Sequence, residues 1–158
     1  MKSIKKNYII ASIKKWDLSN FEKYYSSNPH FFLVTEKNQL TPQFISKIKP
    51  RYIFFPHWSW IIPKPIWNHY ECIVFHMTDL PFGRGGTPLQ NLIIRQHTKT
   101  IISALRVEKG LDTGPLYVKR RLSLNGTAEQ IYKRASRSIF SKIIPLIFSV
   151  NPTLRYLL

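Results

Sequence analysis

Cys72-Ile73-Val74-Phe75-His76-Met77-Thr78-Asp79-Leu80-Pro81-Phe82-Gly83-Arg84-Gly85-Gly86-Thr87-Pro88-Leu89-Gln90-Asn91-Leu92-Ile93 is the stretch on which the fold turns. It opens with a short apolar run rich in strand formers and passes through a glycine-rich loop. A hydroxyl residue followed by proline then predicts a helix start, with Leu89, Leu92 and Ile93 on one side. Strand, loop and helix in this order are the building unit of α/β folds. The same grammar recurs on both sides. Asn7–Ile13, Phe31–Val34, Tyr52–Phe55, Ile101–Val107 and a part of Pro115–Leu124 predict strands. Asp17 is expected to cap a short helix over 18–25. Thr41-Pro42 opens a second helix, which carries Phe44, Ile45 and Ile48. Thr127 with Gln130 makes a capping-box pattern before a helix that buries Ile131, Ala135, Ile139 and Ile143. The alternation predicts an α/β protein, a mostly parallel sheet flanked by helices, forming a single domain over residues 1–158.

Composition supports a packed core, with 44% hydrophobic and 14% aromatic residues. The single Cys72 lies in an apolar run, so it is expected to pack in the core; with no partner for a disulfide, a reducing, cytoplasmic setting is expected. No run reaches the ~18–20 apolar residues that span a bilayer, and the basic start (Lys2, Lys5, Lys6) is not followed by a signal-peptide core, so no membrane partner is expected. The five histidines, at 30, 57, 69, 76 and 97, show no compact ligand spacing, and no metal is expected.

Charge is the extreme feature: 24 Lys and Arg against 8 Asp and Glu, net +16. Such a field attracts anions without choosing among nucleic acids, anionic surfaces and phosphorylated small molecules. Beyond Glu129 there is no acid, while Lys133, Arg134, Arg137, Lys142 and Arg155 follow; a solvated basic helix face accounts for them as well as a partner does.

Two segments can carry chemistry. His76 ends a predicted strand ahead of the glycine-rich loop, and histidine handles protons near neutrality. Asp112 sits in Gly110-Leu111-Asp112-Thr113-Gly114, where flanking glycines permit a tight turn that aims a carboxylate. Ligands of open α/β sheets bind beyond the carboxyl ends of the strands, where such loops lie.

Taken together, Phe55-Pro56-His57-Trp58-Ser59-Trp60-Ile61-Ile62-Pro63, Cys72 to His76, Leu80-Pro81-x-x-Arg84-Gly85-x-x-Pro88-Leu89-Gln90 and Gly110 to Gly114 resemble the catalytic domain of the 10-formyltetrahydrofolate-dependent formyltransferases. The resemblance covers residues 50–135. It implies a Rossmann-like formyltransferase fold and transfer of a formyl group from 10-formyltetrahydrofolate to an amine. It implies that His76 carries a proton and meets the developing oxyanion, and that Asp112 orients His76 and assists removal of the amine proton. The family's catalytic asparagine falls on Val74, which has no donor to offer; Asn91 and Thr78 are the candidates to replace it. The implied donor pocket includes Phe55, His57, Trp58, Ile62, Leu80, Arg84, Gly110 and Leu111. For Phe55, His57, Trp58 and Ile62 an aromatic core segment is an equal reading, and Arg84 serves either an anion or a neighbour. The loop wording resembles that of the small amino-sugar members of pseudaminic-acid-type pathways, so the expected acceptor is a small, anionic amine such as a nucleotide-linked amino sugar. Transfer RNA is not the favoured acceptor, because the family member that acts on it carries an added C-terminal domain. The alternative is a catalytically impaired member serving as a basic nucleic-acid-binding module. A homodimer is left open.

Overall fold

The computed structural model describes residues 5–152 and 154. Lys2 and Arg155, counted above among the basic residues, lie outside that range. The strands are β1 (Asn7–Ala11), β2 (Phe31–Val34), β3 (Pro50–Phe55), β4 (Cys72–His76), β5 (Lys99–Arg106) and β6 (Leu116–Ser123). The helices are α1 (Lys15–Tyr24), α2 (Pro42–Ile48), α3 (Lys64–Trp67), α4 (Pro88–Ile94), α5 (Ala128–Ser138) and α6 (Ile144–Val150).

They form one six-stranded sheet in the order β2-β1-β3-β4-β5-β6. β2, β1, β3 and β4 run parallel, whereas β5 and β6 are antiparallel to their neighbours. For β5 and β6 the reason is connection length: they are joined only by residues 107–115, too few for a crossover helix, so they pair as a hairpin, whereas β4 and β5 are antiparallel although α4 lies between them. Among the described residues, no helix is long and apolar enough to cross a membrane.

The parallel strands are apolar on both faces because helices cover both. On one face Tyr8, Ile10, Tyr52, Phe54, Ile73 and Phe75 pack with Phe21 of α1 and with Ile131, Ala135, Ile139 and Phe140. On the other, Ile9, Ala11, Ile53, Phe55 and Cys72 pack with Ile45 and Ile48 of α2 and Ile66 of α3. Burial pushes the Cys72 thiol up to about 12, so it is a packing residue and not a thiolate.

The caps divide. Thr41 accepts the Phe44 N–H, and Thr127 and Gln130 make both halves of a capping box. Thr87 makes no cap bond and sits at φ 54°, so Pro88 alone opens α4. Asp17 is not a cap either. α1 starts at Lys15, after Lys14, and Asp17 lies within its first turn, fully buried. At the C-terminal end Ile131, Ala135, Ile139 and Ile143 are all buried as the step of four requires. A π turn over Ile139–Ile143 then leads into α6. Pro145, just beyond it, has no N–H for the carbonyl four residues back, and widening the preceding turn relieves its ring.

Candidate active site

His76 is the last residue of β4 and lies on the same strand face as Val74, two positions earlier. Its Nε2 lies 2.6 Å from the Gly83 carbonyl, so that nitrogen carries the hydrogen and donates it. Its Nδ1 faces Asp112 Oδ2 at 3.4 Å, and both side chains are nearly enclosed, 7% and 12% exposed.

Two loops make this pairing. The first, after β4, is shaped from within and pinned from outside. Thr78 Oγ1 donates to the Phe82 carbonyl at 2.6 Å, and Ser103 Oγ of β5 donates to the Thr78 carbonyl at 2.7 Å. Lys119 of β6 donates to both Asp79 Oδ1 and the Leu80 carbonyl at 2.6 Å. Gly83 has φ 68°, and a Cβ there would lie 2.8 Å from Thr78 Cγ2, so only glycine presents this carbonyl to His76. The second loop follows β5. Because β5 is antiparallel, its end at Arg106 pairs with Ile73, near the start of β4. Residues 107–115 nevertheless return Asp112 to the end of β4. The loops are stitched there: the Gly85 N–H donates to Asp112 Oδ2 at 3.0 Å, and Arg84 Nε donates to the Asp112 carbonyl at 3.2 Å. Asp112 itself adopts φ 54°.

The remaining residues singled out in the sequence fall into two groups. Leu80, Arg84, Gly110 and Leu111 lie in the two loops that carry the pair. Leu80 is buried against Leu105 and Leu116, with Val74 packed on that cluster, and Leu111 is 67% exposed beside Asp112. Phe55 and Ile62 instead belong to the core beneath α2 and α3, and Trp58 packs against Phe55 and Trp60. His57 turns to the α1 face, where its Nδ1–H donates to Asp17 at 2.9 Å. Asn91 is exposed on α4 and makes no side-chain hydrogen bond to His76 or Asp112. Thr78 is buried with its hydroxyl hydrogen given to Phe82, so it is not a spare donor.

Sequence reasoning missed two features. Lys119, on the edge strand, fastens the loop of His76, and nothing in its surroundings Val118-Lys119-Arg120 signals that. The second is the cluster around Asp17. Its buried carboxylate accepts from Ser12 Oγ and Ser136 Oγ, both at 2.6 Å, as well as from His57. These partners converge only in the folded chain.

Comparison with known proteins fits this geometry. No family model matches the chain. The solved methionyl-tRNA formyltransferase from Clostridium thermocellum superposes with a TM-score of 0.92 at 49% identity, over 96% of this chain and 68% of that one. The curated methionyl-tRNA formyltransferase of Rickettsia felis is 33% identical over 112 residues, 68% of this chain and 37% of the relative. That of Rickettsia prowazekii is 37% identical over 98 residues, 61% of this chain and 32% of the relative. The match thus spans about a third of the curated relatives' length. The amino-sugar formyltransferase PseJ from Anoxybacillus kamchatkensis shares the fold, with a TM-score of 0.66, at 19% identity over 96% of this chain and 80% of its own. The expected nearness to the amino-sugar enzymes is therefore not what the identities show. Half the residues shared with the Clostridium protein, over two thirds of its length and on the same backbone, make this chain a member of the formyltransferase family.

Proposed function

We propose that the chain transfers a formyl group from 10-formyltetrahydrofolate to a primary amine, and that the acceptor is the amine of an aminoacyl ester on transfer RNA. The observation that carries the chemistry is the imidazole–carboxylate pair His76–Asp112, closed in by two loops at the carboxyl end of β4. The names of the Rickettsia and Clostridium relatives support the acceptor, and a net charge of +16 suits a polyanion.

The residues present fit a folate donor. Val74, half-buried on the His76 face of β4 and backed by the buried Leu80, Leu105 and Leu116, and the exposed Leu111 next to Asp112 offer apolar surface, which suits a flat, partly apolar ring. When bound, the folate supplies the formyl carbon. The chain's part is electrostatic and acid–base. The His76 Nε2–H, held by the Gly83 carbonyl in this structure, becomes the donor to the oxygen that gains charge as the amine attacks. The Gly83 carbonyl keeps the imidazole in that tautomer, and Asp112, beside the ring, receives the proton that the amine sheds.

The test is to incubate the purified chain with 10-formyltetrahydrofolate and a panel of methionyl-tRNA and nucleotide-linked amino sugars, and to follow formyl gain by mass spectrometry. Formylation of methionyl-tRNA is expected, with His76→Gln and Asp112→Asn each slower by about 10²–10⁴-fold at unchanged melting temperature. No formyl gain on any acceptor, or full activity of H76Q, would overturn the proposal. The loop wording around His76 favours an amino-sugar acceptor as the second reading, and the same panel ranks it. Val74 favours a third, RNA binding without transfer, which predicts salt-sensitive RNA binding and no affinity for tetrahydrofolate.

A further inference from the structure

β5 and β6 outrun β4. His76, the last residue of β4, pairs with Ser103, while Lys99, Thr100 and Ile101 continue past it and pair with Ser123, Leu122 and Arg121. A cavity of about 810 Å³ opens there, between the overhanging hairpin, the end of α4 and the loop that carries Asp79 and Phe82. Its volume lies within the roughly 300–1,000 Å³ of small-ligand sites.

Three features give the cavity a chemical preference. Lys99 and Arg121 line it, and among the described residues neither side chain makes an ion pair or hydrogen bond. Asp79, the one acid in its wall, is already neutralised by Lys119 at 2.6 Å. The lining is therefore cationic without internal compensation. Leu92 and Leu122 give it an apolar floor, and Phe82 stands 57% exposed at its side, a large aromatic surface without a packing partner to explain it. Two free cations beside an open ring and an apolar floor match a phosphate joined to a flat heterocycle. Position adds to this. Gly83, the next residue after Phe82, holds the carbonyl bound by His76 Nε2, so one loop both lines the cavity and holds the catalytic histidine.

We propose that this cavity binds the nucleotide portion of the acceptor, with phosphate on Lys99 and Arg121 and the base against Phe82. This assignment rests on the formyl-transfer reading above, since it is the amine attached to that nucleotide that must reach His76. The nucleotide has two sources, the 3′ end of an RNA or a sugar nucleotide, and both present the same phosphate and ring.

The experiment is calorimetric titration of the full chain with adenosine 5′-monophosphate, uridine 5′-diphosphate, orthophosphate and tetrahydrofolate. The double variant Lys99→Ala/Arg121→Ala is expected to weaken both nucleotides about tenfold or more and to leave tetrahydrofolate unchanged. Phe82→Leu is expected to weaken the nucleotides and spare orthophosphate. Arg137→Ala/Lys142→Ala removes the same charge elsewhere on the surface and is expected to change nothing. Tighter binding of the adenosine compound supports the cavity and points to RNA; tighter binding of the uridine compound supports it and points to a sugar nucleotide. The proposal is overturned if nucleotides bind no better than orthophosphate. It is equally overturned if the control double variant weakens them as much as K99A/R121A does. Failure of tetrahydrofolate to bind, read in the same titrations, counts against the formyl-transfer reading separately.

Discussion

Val74 lies two residues before His76 on the same face of β4 and leans on Leu80, Leu105 and Leu116, at the position where the sequence resemblance implies a hydrogen-bond donor. Val74→Asn would restore that donor at the cost of placing an amide among leucines. We expect kcat to rise by up to about 10²-fold, while stability falls by about 1–3 kcal/mol. Parallel rate and melting measurements decide it, and an unchanged kcat would show that Val74 does not limit the reaction. Asp17 gives a contrasting case. Its carboxylate takes hydrogen bonds from two serine hydroxyls and His57 with no exposure to water. Asp17→Ala strands all three and should cost about 3–5 kcal/mol in urea unfolding; a loss under about 1 kcal/mol would exclude a structural role. The two sites also differ in what sequence could show. His76 and Asp112 are marked by local chemistry, a strand end before glycines and a turn between glycines. Asp17 looks like a helix cap by every local rule, because Ser12, His57 and Ser136 come to it through sheet order and helix docking alone.

At the scale of elements, all six strands and the main helices were readable, because apolar runs and caps are local signals. The direction of β5 and β6 was not. A strand reads the same in either orientation, and only the short 107–115 connection makes the hairpin antiparallel. That connection explains how Asp112 reaches His76 from a strand running the opposite way. Gly114 is its hinge point: a Cβ there would lie 1.8 Å from the Arg106 carbonyl oxygen, backbone that cannot step aside. Gly114→Ala should therefore displace the loop, destabilise the chain by about 3 kcal/mol and abolish formyl transfer, as denaturant midpoints and activity would show. A stable, active G114A would mean that the loop has another closed form. The π turn before α6 was equally hidden, since Ile139 and Ile143 keep the helical step on either reading.

Across the described residues most acids are occupied. Glu71 pairs with Arg51 and accepts from Tyr117, Asp79 holds Lys119, and Glu129 lies between Lys15 and Lys133, with the Lys133 hydrogen bond keeping its carboxyl below the usual range. The surplus of cations is thus not spent inside the fold and remains available to an anionic partner. If that partner is transfer RNA, its KM should rise at least about tenfold between roughly 50 and 200 mM salt, while the KM for the folate barely moves. Equal salt sensitivity of both would point to a general effect on the protein.

β4 is the seam of this sheet, parallel to β3 on one side and antiparallel to β5 on the other. The imidazole belongs to the first half of the chain and the carboxylate to the second, and an exposed turn at Gln96–His97 separates them. A polypeptide severed at that turn would yield two fragments, each inert and carrying one reacting group. Formyl transfer, if the chain acts as proposed, would then report their complementation and make this fold a natural split reporter.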